Sequence, residues 1–548
     1  MKKQKCIMAV LVAVFVVMMS VPYLVPHLGF LSLFGIVPLL CMEFIGTSVG
    51  VRRMWLWHYS AFVLWNAVTT FWVCNATVGG GIFACLANAL QMSLIFGLFR
   101  WSRKILKGIL PYIFLVFLWI AWERYYLTYA QISWPWLVLG NSFARTLSLA
   151  QWYEFTGTLG GSLWIWVCNV WFFGILLSIA DGSWFRISGK ARIASGAGYI
   201  IALAGPMVLS MVMYYNYSET PSGELKAAVL QPDFDPYQKF QSLDQKTQNR
   251  ILEELMTKSL KKCDTSEMVL VVAPETFTGD MELEGNAIYS STLADFISFL
   301  REHHSANLLF GASVQENIFS PKRPSETARN RGNGRWVQPR NSALIVDSTG
   351  APQIYHKSKL VVGVEMTPYP AFFRRIDDLL GGVMGRCTGQ DEVSLLHCVQ
   401  RDTAGRVVRA VPVGCAICYE SVYPEHCAEY VRKGAEVLAV ITNDAWWGNT
   451  PGYRQHLSYA SLRAIETRRY IARSANTGIS AFINSRGDIM SETEWWETSY
   501  LVSDIRLRND QTFFVRYGDI IGRVCTFMAL MLLLGVAVRA FVRRREGI

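Results

Sequence analysis

The first 215 residues are dominated by long apolar runs that are separated by short polar connections. A helix needs about 20 apolar residues to cross the hydrocarbon core of a membrane. Seven runs approach or exceed that length, and an eighth lies near the C-terminus: 6–25, 30–49, 55–73, 82–99, 109–126, 159–180, 194–214 and 520–542. The pattern predicts a membrane α-helical bundle of eight spans, seven in residues 1–215 and one in 518–548 with a basic tail.

Between the seventh and eighth spans, residues 216–517 have the texture of an α/β domain. Strands are predicted at 227–230, 268–273, 307–311, 342–347, 407–417, 437–442 and 480–484, and helices at 248–261, 291–303 and 455–474. Such alternation is typical of a layered sheet-and-helix domain, and a domain of about 300 residues can bury its own core. The polar, basic stretch at 320–339 is predicted to be a mobile outer loop.

Composition and charge agree with a membrane protein. Only 17% of the residues are charged, against about 25% in soluble proteins. The net charge of +10 does not form a nucleic-acid-binding patch, because basic residues flank apolar runs on alternate connections: Lys2, Lys3, Lys5, Arg52, Arg53, Arg100, Arg103, Lys104, Lys107, Arg186, Lys190, Arg192, Arg539, Arg543, Arg544 and Arg545. Since cytoplasmic loops are enriched in such residues, both termini are predicted to be cytoplasmic and residues 216–517 to lie outside.

One outer connection, near 130–157, is rich in aromatic residues. Tryptophan and tyrosine prefer the headgroup region, so this connection is predicted either to lie on the membrane surface or to be a plain loop. Glu123 and Arg124 lie near the outer end of the fifth span. They are either an interfacial pair or, as charges at membrane depth, functional residues.

A candidate nucleophile, Cys418, follows the β-branched strand predicted at 407–417. A helix-like stretch begins at 423, and a helix N-terminus favours a thiolate. The alternative is a buried structural cysteine. Cys415 and Cys418 form a single CxxC pair without a second pair or a histidine cluster, which disfavours a metal or redox site. The sequence contains no metal or nucleotide motif, so no cofactor is expected; disulfide pairing is left open.

Two further short motifs follow predicted strands. Glu275 comes just after the apolar run at 268–273, and Lys357 follows the strand at 342–347 and its turn. In open α/β sheets, residues beyond the strand ends gather at one edge, so Glu275, Lys357 and Cys418 can converge although they are distant in sequence. Taken singly, a glutamate such as Glu275 is more often a solvated turn residue, and a lysine such as Lys357 is more often a surface residue.

Together these motifs resemble the nitrilase superfamily, in which a Glu-Lys-Cys triad occurs in this order with these local sequences. The sequence TNDAWWG at 442–448, followed by Gln455-His456, is similar to the family's segment downstream of the nucleophile. A nitrilase-like domain between seven N-terminal spans and one C-terminal span resembles the apolipoprotein N-acyltransferase family, and Trp134-Pro135-Trp136 belongs to the same resemblance. The resemblance implies that the extramembrane domain is an αββα sandwich.

The resemblance also implies a reaction through a thioester. Glu275 would act as the general base, Lys357 would stabilise the oxyanion, and Cys418 would carry the acyl chain. The donor would be a membrane phospholipid, and the acceptor the N-terminal α-amine of the diacylglyceryl-modified cysteine of an apolipoprotein. Because water must be kept from a thioester, a lid beside the site is expected.

Supporting roles in the site are implied for a second set of residues: Glu365, Tyr419, Glu420, Trp446 and Phe240. Glu365 would orient Lys357 or position substrate. The sequence LVVGVE at 360–365 departs from the family's Leu-Val-Pro-Phe-Gly-Glu, so the role of Glu365 is open. Tyr419 and Glu420 would shape the pocket, and Phe240 would lie near the acyl-binding cleft.

The resemblance places the protein in the inner membrane of a bacterium as a monomer, with its catalytic domain in the periplasm. Two alternatives are a membrane-tethered amidase or nitrilase that uses water as the second nucleophile, and a non-catalytic transporter or sensor. A tether needs only one helix, which argues against the first. The spans contain little charge beyond Glu123 and Arg124, which argues against a transporter.

Overall fold

In the computed structural model, the chain divides into two compact units: Met1–Tyr217 together with Tyr517–Ile548, and Ser218–Arg516. The structure describes residues 2–546 except 237–238, 240–242, 265, 371 and 374–386. All twelve cysteines lie in described segments, and the described residues contain no disulfide bond.

The first unit is built from helices, as its apolar runs predict. These helices are Lys2–Leu24, Ser32–Gly35, Val37–Ser48, Met54–Thr70, Val73–Ala76, Val78–Arg103, Leu110–Thr128, Tyr153–Ala180, Ser183–Arg186, Gly189–Tyr215 and Ile520–Glu546. Within the described part of the chain, six helical segments are long and apolar enough to cross a membrane: Lys3–Leu24, Gly29–Ser48, Val78–Arg103, Tyr153–Ala180, Gly189–Tyr215 and Ile520–Arg545. Six of the eight predicted spans therefore correspond to such segments.

The other two predicted spans, 55–73 and 109–126, coincide with shorter or more polar helices. Met54–Thr70 has 17 residues, fewer than the about 20 that a hydrocarbon core requires. Leu110–Thr128 has 19 residues, and its last turns carry Glu123 and Arg124. These two side chains have different partners: Glu123 accepts a hydrogen bond from Trp119 Nε1 (3.1 Å), and Arg124 pairs with Asp519 (3.7 Å). The count of eight spans stays a prediction.

The aromatic connection near 130–157 is folded against the helices of its unit, and its position at a membrane surface stays a prediction. It forms 3₁₀ turns at Pro135–Leu137, Leu139–Phe143 and Leu147–Leu149. Trp136 is buried and stacks on Trp134 with ring centroids 5.0 Å apart, and the backbone N–H of Leu139 donates to Glu123 Oε1 (2.9 Å). Ring packing and a hydrogen bond to the buried Glu123 carboxylate thus hold this segment within the helical unit.

The second unit contains two β-sheets and the helices Gln245–Leu260, Ser291–Glu302, Pro424–Arg432 and Pro451–Thr467. Its strands are β1 (Gly223–Gln231), β2 (Val269–Val272), β3 (Thr278–Glu284), β4 (Ala287–Tyr289), β5 (Ala306–Phe319), β6 (Arg329–Gly332), β7 (Arg335–Val346), β8 (Gln353–His356), β9 (Leu396–Arg401), β10 (Val407–Ile417), β11 (Val437–Thr442), β12 (Ile471–Ala475), β13 (Ala481–Ile483), β14 (Ile489–Glu492) and β15 (Ser499–Leu507). One sheet has the order β15-β1-β2-β5-β3-β4 with β6, β7 and β8 joined through β7 to β5; the other has the order β14-β13-β12-β11-β10-β9.

The two sheets pack face to face, and helices cover their outer faces. Ala227 and Val229 of β1 belong to the core that also contains the apolar side chains of β10 and β11. The intervening Ala228 and Leu230 belong to a second core with the helices Gln245–Leu260 and Ser291–Glu302. This alternation follows from the period of two along a strand, and it gives the layered α/β arrangement that the sequence predicts.

Two local predictions in this unit are wrong. The stretch 320–339, predicted as a loop, contains β6 and the start of β7, and β7 pairs with β5 along its whole length. Its strands are rich in arginine and exposed at the tip, so they lack the apolar alternation that identifies a strand. The helix predicted at 455–474 ends at Thr467, where Arg468 is left-handed (φ 50°), and β12 follows.

Candidate active site

The structure brings Glu275, Lys357 and Cys418 into one site, at the edge where strands of both sheets end. Glu275 lies three residues after β2 and is buried. The next residue, Thr276, is left-handed (φ 47°), an uncommon conformation for a β-branched residue. Hydrogen bonds to Gly311 hold this turn: Gly311 N–H donates to Pro274 O (3.0 Å), and Phe277 N–H donates to Gly311 O (2.7 Å).

Gly311 allows the turn that carries Glu275 to approach β5 closely. A Cβ atom at this position would lie 2.6 Å from Glu275 Cα and 2.6 Å from Thr276 N, so alanine requires backbone to move. We expect Gly311→Ala to lower kcat by about tenfold to a hundredfold, because small displacements of a catalytic group are costly. Steady-state kinetics on the purified variant would test this, with Gly279→Ala, where a Cβ meets nothing within 4 Å, as the matched control. Equal activity of the two variants would contradict the prediction.

Lys357 follows β8, and its backbone N–H donates to Asn341 O (2.8 Å). Its side chain is 1% exposed, and Nζ donates to Glu275 Oε1 (3.0 Å) and Glu365 Oε1 (3.1 Å). Burial alone lowers the pKa of Lys357, but the Glu275 and Glu365 carboxylates outweigh it and raise this pKa well above its usual range. Lys357 is therefore an ammonium, which suits it to stabilise a developing oxyanion.

Glu365 lies beside Lys357 despite the altered motif that precedes it. The backbone turns back at 361–365, where Gly363 is left-handed (φ 81°) and Glu365 N–H donates to Val361 O (2.8 Å). Glu365 Oε2 in turn accepts a hydrogen bond from Val361 N–H (2.8 Å), and Oε1 accepts from Lys357. The geometry is that of a carboxylate which orients the lysine.

Cys418 directly follows β10 in a left-handed conformation (φ 53°), a sharp turn of the kind seen at nucleophile positions. Its carbonyl oxygen accepts hydrogen bonds from Ser421 Oγ (2.8 Å) and His456 Nε2 (3.1 Å). Burial and the Glu275 carboxylate raise the pKa of the Cys418 thiol, and Lys357 only partly opposes them. A 3₁₀ turn, Cys418–Val422, begins at the cysteine, and the helix predicted from 423 begins at Pro424; its effect on the thiolate stays a prediction. A thiol with a raised pKa needs a base.

A buried ionic cluster lies behind Cys418. Asp444 accepts hydrogen bonds from Thr442 Oγ1 (2.7 Å) and Arg473 (2.7 Å), and its Oδ1 lies 3.0 Å from His456 Nδ1. Burial alone raises the pKa of Asp444, but Arg473 and His456 outweigh it and hold this pKa well below its usual range. The cluster thus anchors His456, which in turn holds the carbonyl group of Cys418.

Glu420 joins the strand that carries Cys418 to the arm that carries Lys357. It is 0% exposed, so it braces the site from within and does not shape the pocket surface. Its Oε1 accepts from the backbone N–H groups of Ser358 (2.7 Å) and Lys359 (3.1 Å), and its Oε2 accepts from Ile417 N–H (2.8 Å). Burial alone raises the pKa of Glu420, but His426 and the hydrogen bonds from Ile417 N–H and Tyr355 lower it overall.

The other predicted supporting residues have different positions. Tyr419 is buried, with its ring 5.1 Å from that of Tyr423. Trp446 is partly exposed in the 3₁₀ turn Asp444–Trp447. Phe240 lies outside the described residues.

Sequence reasoning missed Asn341, which bridges the two glutamates. Its Nδ2 donates to Glu275 Oε1 (2.8 Å) and Glu365 Oε1 (2.7 Å). It lies in β7 just before the apolar run 342–346 and is 4% exposed. A polar residue at the edge of an apolar strand is the only signal that could have identified it.

Comparisons with known proteins match both units. A family model for "Carbon-nitrogen hydrolase" matches residues 226–511, and a model for "Apolipoprotein N-acyltransferase N-terminal domain" matches residues 15–171. A curated apolipoprotein N-acyltransferase of Chlorobaculum tepidum is 29% identical over 94% of this chain and 93% of its own length. One of Geobacter metallireducens is 27% identical over 89% of this chain and 85% of its own length.

Among solved structures, Saccharomyces cerevisiae Nit3, a member of branch 10 of the nitrilase superfamily, is 15% identical with a TM-score of 0.35, covering 53% of this chain and 92% of its own. The model for the hydrolase domain covers more than half of this chain. The curated relatives extend the match through the helical unit. The chain therefore belongs to the carbon-nitrogen hydrolase family, among the apolipoprotein N-acyltransferases of the nitrilase superfamily.

Proposed function

We propose that this membrane protein transfers a fatty acyl chain from a phospholipid to the N-terminal α-amine of the lipidated cysteine of apolipoproteins. It is an N-acyltransferase of lipoprotein maturation, as its family membership supports. The observation that carries the mechanism is the single buried site in which Lys357 Nζ bonds to Glu275 and both act electrostatically on Cys418.

In the first half-reaction, Glu275 accepts the thiol proton and Cys418 Sγ attacks the ester carbonyl of the phospholipid. The negative charge moves to the carbonyl oxygen, where the Lys357 ammonium stabilises it. The C–O bond then breaks, and Glu275 returns the proton to the departing lysophospholipid oxygen. The acyl chain stays on Cys418 as a thioester, and Glu275 is a carboxylate again.

In the second half-reaction, the α-amine of the acceptor attacks the thioester carbonyl. A C–N bond forms, the C–S bond breaks, and Glu275 transfers the amine proton to the Cys418 thiolate. Because the thiol is restored with its raised pKa, the free enzyme returns to the neutral form from which it began. Glu365 and Glu420 hold Lys357 and the turn at Cys418 in place through both steps.

The proposal extends to topology. Both substrates carry lipid chains, so the acyl chains would enter the site laterally from the bilayer. We place the protein in the bacterial inner membrane with eight spans, both termini in the cytoplasm and the catalytic unit on the periplasmic side, as a monomer. Support comes from the basic residues on alternate connections, of which Arg100 and Arg103 pair with Glu43 (2.8 and 3.4 Å).

Intact mass spectrometry on the full-length protein tests the covalent route. After incubation with a phospholipid and no acceptor, the protein should gain the mass of one fatty acyl group, and digestion should locate that mass on the peptide that contains Cys418. Addition of a diacylglyceryl-cysteinyl peptide should then remove the acyl group. Cys418→Ala should insert and fold but gain no mass. Formation of the acylated peptide product by wild-type protein that never gains this mass would exclude the thioester, and release of free fatty acid alone would favour a hydrolase.

A further inference from the structure

Asn341 shares both of its carboxylate partners with Lys357. Its Nδ2 donates to Glu275 Oε1 and Glu365 Oε1 at 2.8 and 2.7 Å, and Lys357 Nζ donates to the same two oxygens at 3.0 and 3.1 Å. Carboxylate oxygens only accept hydrogen bonds, so the amide nitrogen of Asn341 must face them. The orientation of this amide group is therefore fixed by its partners.

The oxygen of the same amide group, Oδ1, is an acceptor that no described residue uses. Asn341 is 4% exposed, and within the described residues its Oδ1 is buried without a hydrogen-bond partner. Oδ1 is bonded to the same carbon as Nδ2, so it lies within one amide group of the Glu275 and Glu365 carboxylates. A buried acceptor without a partner is unfavourable, and an N–H or O–H group of a ligand would satisfy it.

The charges around this oxygen suit a cationic or polar N–H ligand. The Lys357 ammonium lies within hydrogen-bonding distance of two carboxylates, those of Glu275 and Glu365. A further lysine, Lys239, interacts electrostatically with Glu275 and donates to Thr276 O (2.6 Å). Burial lowers its pKa to about 7, so it contributes only part of a charge at neutral pH. The site retains a surplus of negative charge, which matches the positive charge that develops on a neutral amine nitrogen as it attacks the thioester.

We propose that Asn341 Oδ1 accepts an N–H hydrogen bond from the α-amine of the acceptor and so selects a primary amine as the second nucleophile; this rests on the function proposed above. A primary amine carries two hydrogens when it attacks. One passes through Glu275 to the Cys418 thiolate, and the other, held by Asn341, stays as the single N–H of the product amide. The alcohol of lysophospholipid has one hydrogen, which Glu275 takes, so Asn341 gives it no additional stabilisation.

A single-turnover experiment separates this role from simple support of the glutamates. Full-length protein is first acylated on Cys418 by a phospholipid with a labelled chain. The thioester is then offered either a diacylglyceryl-cysteinyl peptide or lysophospholipid, and the ratio of the amine rate to the alcohol rate is measured. In Asn341→Ala this ratio should fall by about tenfold to a hundredfold, as expected for loss of one hydrogen bond to a charged or partly charged group.

Two further variants complete the test. Asn341→Asp keeps an oxygen acceptor and should hold the ratio within about threefold of wild type, even if both rates fall. Asn307→Ala removes a buried asparagine of β5 that hydrogen-bonds to Val399, away from the site, and should leave the ratio unchanged. An unaltered ratio in Asn341→Ala, or a ratio lost in Asn341→Asp, would overturn the inference. Absence of acylated Cys418 in wild-type protein would instead count against the proposed function.

Discussion

Glu275→Gln is expected to lower the rate of Cys418 acylation by about a thousandfold, within the range of general-base contributions. Glutamine has the same size and can still accept the hydrogen bonds of Lys357 and Asn341 (3.0 and 2.8 Å), but it cannot take the thiol proton. The protein should still fold, because Lys357 keeps Glu365 as a buried partner. Pre-steady-state acylation by phospholipid measures the effect, with Glu302→Gln on an exposed helix end as the matched control.

The same variant should make the thiol itself more reactive. The Glu275 carboxylate is one cause of the raised pKa of Cys418, and the Lys357 ammonium opposes it. Removing the carboxylate lowers this pKa, so at pH 8 more thiolate is present and alkylation by iodoacetamide should be faster in Glu275→Gln than in wild type. Lys357→Met should change alkylation in the opposite direction. Slower alkylation in Glu275→Gln would contradict the expected effect of the carboxylate on the thiol, and acylation at the wild-type rate would refute the assignment of Glu275 as the base.

The fold could be predicted from the sequence wherever burial imposes a regular pattern. The β-branched run at 407–417 became β10 with those bounds, and its second half, 411–417, is the apolar and mostly buried part that lies between β11 and β9. The hairpin of β6 and β7 was missed because its residues are polar. It is held by the pairing of β7 with both β5 and β6, and no local residue pattern indicates that pairing. The span at 55–73 was too long because apolar character does not determine where a helix ends.

In the candidate site, too, the features that follow from local sequence could be predicted, and those that depend on distant contacts could not. Glu275, Lys357 and Cys418 each follow a strand, so position in sequence indicated them. Asn341 and Glu420 act through bonds to backbone and side chains more than 20 residues away, and no pattern of spacing encodes those partners. Burial and Glu275 raise the pKa of the Cys418 thiol, and the residues next to Cys418 in sequence give no indication of either cause.

Arg473→Met is expected to cost about 3–5 kcal/mol of stability, the cost of leaving one member of a buried ion pair without its partner. Arg473 and Asp444 are both 0% exposed and lie 2.7 Å apart, so solvent cannot replace the lost charge. The melting temperature of the full-length protein in detergent should fall by on the order of 10 °C. The surface pair Arg486–Asp488 (2.5 Å, 31% and 23% exposed) provides the control, and Arg486→Met should cost less than about 1 kcal/mol.

The pH dependence of that loss distinguishes an unpaired buried charge from a simple packing defect. In wild type, Arg473 helps to hold the pKa of Asp444 below its usual range, so the pair contributes stability above the unfolded pKa, and that contribution is lost as pH falls through the folded pKa. In Arg473→Met, burial raises the pKa of Asp444 and His456 still lowers it, so this pKa is higher than in wild type. The neutral form of Asp444 is then tolerated at low pH, and the cost grows as pH rises through the new value. The difference in melting temperature should therefore narrow between pH 7 and pH 4.5, and Arg473→Met/Asp444→Leu should recover part of it. A difference that is constant with pH would show that lost packing, and not the unpaired Asp444 carboxylate, accounts for the instability.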